Sequence, residues 1–247
     1  MVKQFLARTI KGTGRRFGFE ISRMQSTIGV MEAFLGHLQI VGFKPTCILD
    51  VGANRAEWSR LAQKHFPGAK FILIEPQSEL IDELKSFCAG APGSEWKLAG
   101  AGSAAGEMEL TVWPNNAQSS LVFQPDGNGS FEHRRIPIIT IDSLFGEQRE
   151  LPQLAKLDIQ GFELEALAGA TKLFGHTDCF IVEVNLYQRV ANVPLFSDVV
   201  SFFDERGYKV YDVPGELRRP LDNALWQVDL AFVRKGGPFD TCQRWQK

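Results

Sequence analysis

The sequence is poor in several things, and each shortage removes a class of protein. No apolar run is long enough to span a bilayer. The basic amino end lacks the uninterrupted apolar core of a signal peptide. Its four cysteines, Cys47, Cys88, Cys179 and Cys242, are far apart and form no Cys-x-x-Cys pair, which argues against a disulfide framework or a thiolate metal site. They read as reduced, mostly structural thiols of a cytoplasmic protein. No histidine-rich ligand set appears, so no metal is assigned. The net charge of −2 gives no basis for bulk nucleic-acid affinity. A Gly-x-Gly-x-x-Gly turn is also missing, and with it the usual cradle for a dinucleotide pyrophosphate.

What is present is a chain of 247 residues, 44% hydrophobic, enough for a full core. It suits one α/β domain over residues 45–247, preceded by an extension over 1–44. Within residues 1–23, Lys3, Arg8, Lys11, Arg15, Arg16 and Arg23 face Glu20 alone. This basic arm reads either as a solvated surface segment or as a contact for anionic lipid headgroups or a phosphorylated glycan carrier. The expected location is therefore the cytoplasm, with a peripheral membrane position left open. In the extension, Met31, Phe34, Leu35, Leu38 and Val41 recur at helical spacing within 24–41, and Gly42 ends that helix. It is expected on the sheet edge or over the ligand cleft, with His37 exposed.

The stretch from Thr46 to Gln77 organises the rest. Ile48, Leu49 and Val51 form a buried strand that breaks at Asp50-Val51-Gly52-Ala53-Asn54. Trp58, Leu61, Ala62 and Phe66 follow at helical spacing, and Pro67-Gly68 stops that helix. A second apolar run, Phe71 to Ile74, ends at Glu75-Pro76. Ligands of open parallel sheets lie at the carboxyl ends of the strands. Gly52 allows close backbone approach. Glu75, 25 residues beyond Asp50, is placed to accept both ribose hydroxyls. Asp50 would repel phosphate and suits a ligand with a cationic amino-acid end, such as S-adenosylmethionine (SAM). The cofactor is expected to meet Asp50, Gly52, Ala53, Asn54, Ser59, Glu75, Pro76, Ala101 and Asp158. The alternative is an α/β protein in which Gly52 only makes a tight turn.

Further strands are expected at Trp96 to Ala99, Glu107 to Trp113, Ile136 to Ile141, Leu154 to Ile159, Phe180 to Val184, Tyr208 to Val213 and Val228 to Val233. Helices are expected from Ser78 to Ala89, after Glu163 with Leu164, Leu167 and Ala168 inward, and from Phe196 to Arg206. Asp142 is expected to cap a short helix at Ser143. The polar stretch Pro114 to Arg135 is long for a passive connection and reads as a substrate-facing loop. The segment from Pro214 to Trp226 is too short for a crossover helix, which predicts a hairpin-like return.

About seven strands, mostly parallel with the last antiparallel, resemble the Rossmann-like class I methyltransferase fold. Five ordered blocks narrow the resemblance: Asp50-Val51-Gly52-Ala53-Asn54, Glu75-Pro76, Thr140-Ile141-Asp142-Ser143-Leu144, Lys156 through Glu163, and Val182-Glu183-Val184. Together they look like the FkbM family, over roughly residues 30–235. The resemblance implies a SAM-dependent O-methyltransferase acting on a hydroxyl of a sugar, glycan or glycosylated natural product. Two positions depart from the family pattern: Ala56 stands where glycine is usual, and Gln160 where glutamate is usual. They keep open a catalytically inactive SAM-fold binding or regulatory protein. An NAD(P)-linked oxidoreductase is disfavoured by the missing glycines.

A hydroxyl needs a base beside it. Asp158 and Glu183 end neighbouring strands and are the first candidates, Asp158 foremost, with a structural hydrogen-bonding role as its alternative. Glu163 reads equally as a base or as a helix N-terminal charge. His133, in the polar stretch beside Arg134 and Arg135, is a further candidate, and those arginines suit a substrate phosphate or carboxylate. Lys156 shares strand parity with Asp158 and is expected to pair with it. Acceptor identity and oligomeric state are not legible in the sequence.

Overall fold

The computed structural model describes residues 28–112, 132–146, 149–188 and 193–241. The basic arm, Cys242 and residues 114–131 of the polar stretch lie outside them. The main sheet is built from β1 (Cys47–Val51), β2 (Lys70–Ile74), β3 (Glu95–Lys97), β7 (Leu154–Leu157), β8 (Cys179–Asn185), β9 (Tyr208–Arg218) and β10 (Leu225–Arg234). Its order is β3-β2-β1-β7-β8-β10-β9. The strand pairs from β3 through β8 are parallel, and β10 is antiparallel to both its neighbours. This is the class I methyltransferase arrangement the sequence predicts.

The central strands read as continuous apolar runs because both faces of the sheet are covered. All residues of β1, β7 and β8 are buried. Alternate side chains feed two cores. Leu49, Val51, Leu157, Phe180 and Val182 pack with α4 (Glu163–Ala168) and α5 (Phe196–Glu205). On the other face, Ile48, Phe71, Leu73 and Ile181 pack with α1 (Met31–Ile40), α2 (Glu57–His65) and α3 (Ile81–Gly90). Cys47 and Cys179 are fully buried, as their strand positions predict. Among the described residues, no helix is long and apolar enough to cross a membrane.

Several expectations need correction. The stretch expected as one strand to Ala99 ends at Lys97, and β4 (Gly100–Ala101) joins a separate sheet with β5 (Gly106–Val112) and β6 (Glu132–Ile139). Leu110 and Val112 of β5 pack with Ile136 and Ile138 of β6 in a small apolar cluster of their own. His133, Arg134 and Arg135 lie on β6 and so belong to a strand. Asp142 caps the turn at Thr171–Leu173, accepting from the Thr171 and Lys172 N–H groups at 2.9 Å each. In α4, Leu164 and Leu167 pack on the core as expected, joined by Ala166, while Ala168 faces solvent. His37 is partly buried, 2.8 Å from the Tyr211 hydroxyl, because α1 leans on β9. The return between the last two strands is a hairpin, with Asn223 in the left-handed region.

The face of α5 is fixed by aromatic packing. Phe203 is fully buried and stacks on Phe232 with ring centroids 4.0 Å apart. Phe174, Phe180 and Tyr208 surround it edge-on or tilted. We expect Phe203→Ala to cost about 3–5 kcal/mol. Denaturant titration measures this; a loss under about 1 kcal/mol would show that α5 is held by something else.

Candidate active site

Register places one row of residues along the carboxyl edge of the sheet. Val51 pairs with Leu157, and Leu157 with Val182, so Gly52, Asp158 and Glu183 follow side by side. Glu183 pairs with Asp229 of β10, and Asp229 with Gly215 of β9. A cavity of about 480 Å³ opens along this edge. Its wall runs from Glu75 and Pro76 beyond β2 to Asp229 on β10. That is four strand spacings, or roughly 19 Å.

At the bend, Gly52 has φ +79°, and a Cβ there would lie 2.1 Å from the Asp158 carbonyl oxygen. The Gly52 and Ala53 N–H groups donate to the Ile74 carbonyl at 2.9 and 3.1 Å, which ties the bend to β2. Asn54 and Ala56 also adopt positive φ, 46° and 57°. The Asn54 N–H donates to Glu75 Oε2 at 2.8 Å. Ala56 is fully buried, and its methyl joins the core beneath α2 instead of projecting into the cavity. The alanine therefore leaves the ligand space open.

Glu75 is 2% exposed. Burial pushes its carboxyl up, while the Gln77 and Asn54 N–H groups draw it back. Its Oε1 accepts from Gln77 N at 3.0 Å and Gln77 Nε2 at 3.1 Å. The carboxylate is thus aimed before any ligand arrives. Beyond it, Ala99, Gly100, Ala101 and Leu110 make a small, apolar end suited to a flat base.

Three expected cofactor contacts need correction. Asp50, Ser59 and Ala53 are buried but do not line the cavity. Asp50 lies on the same strand face as Gly52, two residues deeper. Ser59 Oγ donates to its Oδ2 at 2.5 Å, and its Oδ1 has no hydrogen-bond partner among the described residues. Burial raises its carboxyl, opposed first by Lys156. Asp50 stands buried behind the bend and is not part of the cavity wall.

Lys156 and Asp158 both line the cavity, and their Nζ and Oδ2 are 2.7 Å apart. The expected pairing is present. Lys156 Nζ also stands 5.9 Å from the Trp58 ring centre. Burial pushes the Asp158 carboxyl up, but the Lys156 ammonium outweighs it and holds the group below its ordinary range. Glu183 is pushed well above its ordinary value, by burial first and then by Asp158 and Glu163. Gln160 Nε2 lies 3.1 Å from both Glu183 oxygens and 3.4 Å from Asp158 Oδ1.

Glu163 turns away from the cavity. It accepts from the Ile159 N–H at 2.9 Å and the Gly161 N–H at 3.0 Å. Burial raises its carboxyl to about 7. It pins the turn after Asp158 and is not positioned as a base. His133 is also remote from the cavity wall, 3.1 Å from Glu109 on the small sheet. Arg134 pairs with Glu79 at 2.7 Å and with Glu132, so it is committed to surface ion pairs. Both readings fail for one reason: the polar stretch ends in a strand.

Asp229 is a cavity residue that sequence reasoning missed. Burial raises its carboxyl to about 6, against the pull of Lys156. Gly215 makes room for it, since a Cβ there would stand 2.0 Å from Asp229 Oδ2. The available signal was a lone carboxylate between Val228 and Leu230 in an apolar strand.

The family model for the FkbM methyltransferase domain matches residues 50–210. The chain belongs to the FkbM methyltransferase family. No curated protein matches it in sequence. Similar solved structures include a precorrin-6y C5,15-methyltransferase from Geobacter metallireducens, at 14% identity over 87% of this chain and 93% of that one, TM-score 0.45. A putative S-adenosylmethionine dependent methyltransferase from Listeria monocytogenes has 9% identity, coverage of 82% and 99%, and TM-score 0.48. The 1,6-didemethyltoxoflavin-N1-methyltransferase of Burkholderia thailandensis, solved with S-adenosylhomocysteine, has 13% identity, coverage of 83% and 77%, and TM-score 0.46. The family match carries the assignment. The protein is a SAM-dependent methyltransferase, and its cavity fits SAM: a carboxylate preset for a ribose hydroxyl, a glycine bend and a small apolar end.

Two predictions test this geometry. Gly52→Ala should lose at least about 2 kcal/mol of stability and bind no SAM, because the methyl group meets backbone in a left-handed turn; unchanged calorimetric binding would contradict the close approach. Asp229 has a raised folded value, so its share of stability is full below the unfolded value and is lost as pH rises through about 6. Against Asp229→Asn, the ligand-free protein should lose about 3 kcal/mol between acid and neutral pH. Parallel thermal melts across pH would refute this if the two curves kept a constant gap.

Proposed function

We propose that the protein is an O-methyltransferase acting on a hydroxyl of a sugar, glycan or glycosylated metabolite, with Asp158 as the base. The supporting observation is the Asp158–Glu183 pair, set at the strand tips in the same row as the Gly52 bend. When bound, SAM supplies an activated methyl group bearing a positive charge. Glu75 would accept a ribose hydroxyl at the lone pair left on Oε2, since Oε1 already accepts from Gln77 N and Nε2. Gly52, Asn54 and Pro76 would wall the nucleoside, and Ala101 its base. The acceptor then takes the end between Asp158 and Asp229. Asp158 is ionised, faces the cavity and is steadied by Lys156, so it can accept the hydroxyl proton as the oxygen is alkylated. Carboxylates on that side accept hydrogen bonds from hydroxyls, which suits a polyol acceptor.

Neither family departure favours an inactive binder. Ala56 points into the core. Gln160 adds a donor to the two carboxylates and leaves the base in place. The test has two parts. Glu75→Gln should weaken SAM binding about tenfold or more by calorimetry, since the charged acceptor is lost. Asp158→Asn should keep binding of the neutral product S-adenosylhomocysteine and, at saturating SAM, lower transfer of labelled methyl to a responsive glycan by about 10²–10⁴-fold. Undiminished transfer by Asp158→Asn would overturn the assignment of the base. Transfer to amines or thiols in preference to hydroxyls would overturn the acceptor class.

A further inference from the structure

Charge is unevenly distributed behind the cavity. Asp50, Asp158, Glu183 and Asp229 all feel the Lys156 ammonium, and Glu163 adds its charge to Glu183. Glu75, Glu57 and Arg55 complete the ionisable lining further along the wall. So many buried carboxylates cannot all ionise beside one ammonium. The neighbours of the two carboxyls divide the pair unevenly. Asp158 Oδ2 is taken by Lys156, so Asp158 is the ionised member. Glu183 stands beside it, since the Gln160 amide nitrogen lies within 3.4 Å of Asp158 Oδ1 and 3.1 Å of both Glu183 oxygens, and burial followed by the Asp158 charge pushes the Glu183 carboxyl well up, so Glu183 is the member that holds a proton. Gln160 spans the two, donating toward both carboxyls. It does so from φ 57°, a strained backbone for a side chain of its size.

We infer that the Asp158–Glu183 pair holds one shared proton in the cofactor-free protein and gives it up when the cationic cofactor binds, so that SAM arms the base it will need. This rests on the reading of Asp158 as the base. A positive charge brought to the mouth of the pair stabilises its doubly ionised form. The proton leaves to solvent, and the pair then has a vacancy for the acceptor's proton. In the transfer, the acceptor O–H bond breaks as the new C–O bond forms, the C–S electron pair stays with sulfur, and the proton lands on the pair. The neutral product S-adenosylhomocysteine (SAH) then faces the pair in its starting protonation state. Charge is conserved inside the cavity during the chemical step. Gln160 acts here as a positioning residue, since its amide serves the pair in either state.

Calorimetry tests this without any acceptor. SAM and SAH are titrated into the full chain near neutral pH, in buffers of widely different ionisation enthalpy. SAM should release up to roughly one proton more than SAH, and its affinity relative to SAH should rise with pH by up to about tenfold per unit below the pair's titration. The subtraction cancels groups that respond to the shared nucleoside, Glu75 above all. Glu183→Gln should bind SAH as before and show no difference in proton release. Gln160→Leu keeps both carboxyls and should shift the release to higher pH, because a donor to the ionised form is gone. Equal release by SAM and SAH overturns the inference and leaves Asp158 free to be the base. So does a difference that survives in Glu183→Gln. Loss of transfer in Asp158→Asn bears on the base itself, so the two readings fail separately.

Discussion

The site depends on how closely two strand tips meet. The bend after β1 passes so near the Asp158 carbonyl that a single Cβ at residue 52 would lie 2.1 Å from it. That contact sets the glycine bend beside the chain that carries Asp158, the proposed base. It also sets the register of the edge, because Gly52, Asp158, Glu183 and Asp229 occupy one row across β1, β7, β8 and β10. A slip of one residue in any pair would turn a carboxylate to the opposite core. The buried apolar face under each strand makes such a slip costly, so packing far from the cavity holds the charges in line.

Much of this was legible in the chain. Continuous apolar runs ending in Gly52, Glu75, Asp158 and Glu183 reveal buried parallel strands and their carboxyl tips. The hairpin followed from the short segment between the last strands. What failed to read out was side-chain direction. Asp50 and Gly52 share a strand face, yet two residues of depth separate a buried carboxyl from a cavity wall. Ala56 occupies a backbone region that favours glycine, and only the structure shows its methyl entering the core. His133 and Arg134 looked like loop residues because polar residues on the open face of a small sheet resemble a loop. Asp229 was hidden by its neighbours, as the strand around it is apolar and its partner Glu183 is distant in sequence.

The two departures from the family pattern have different physical consequences. Ala56 adds a methyl group where the chain already carries left-handed strain, and burial of that methyl beneath α2 partly offsets the strain. Its effect is on stability. Gln160 replaces a carboxylate by an amide of the same shape at a position whose side chain reaches both Asp158 and Glu183. A glutamate there would add another negative charge beside a single lysine, and one more carboxyl would have to be protonated to persist. The amide supplies hydrogens without charge. It lets the pair differ in protonation, with Asp158 low and Glu183 high.

That difference matters because two equal carboxyls would make a poor base at neutral pH. Either both would ionise and repel, or both would take protons and be unable to accept another. Lys156 breaks the symmetry from one side, at 2.7 Å from Asp158, and burial breaks it from the other by raising Glu183, with the charges of Asp158, Glu163 and Asp229 adding to it. The same burial that separates the two values works against the fold as pH rises, since Glu163 and Asp229 are themselves held near 7 and near 6. Stability lost along this edge is therefore tied to its function. A protein relieved of these carboxyls would tolerate neutral pH better and would have no asymmetric pair to place beside an acceptor. The cavity edge is the part of the fold where packing rules are broken, and the buried rows beneath it keep those exceptions in position.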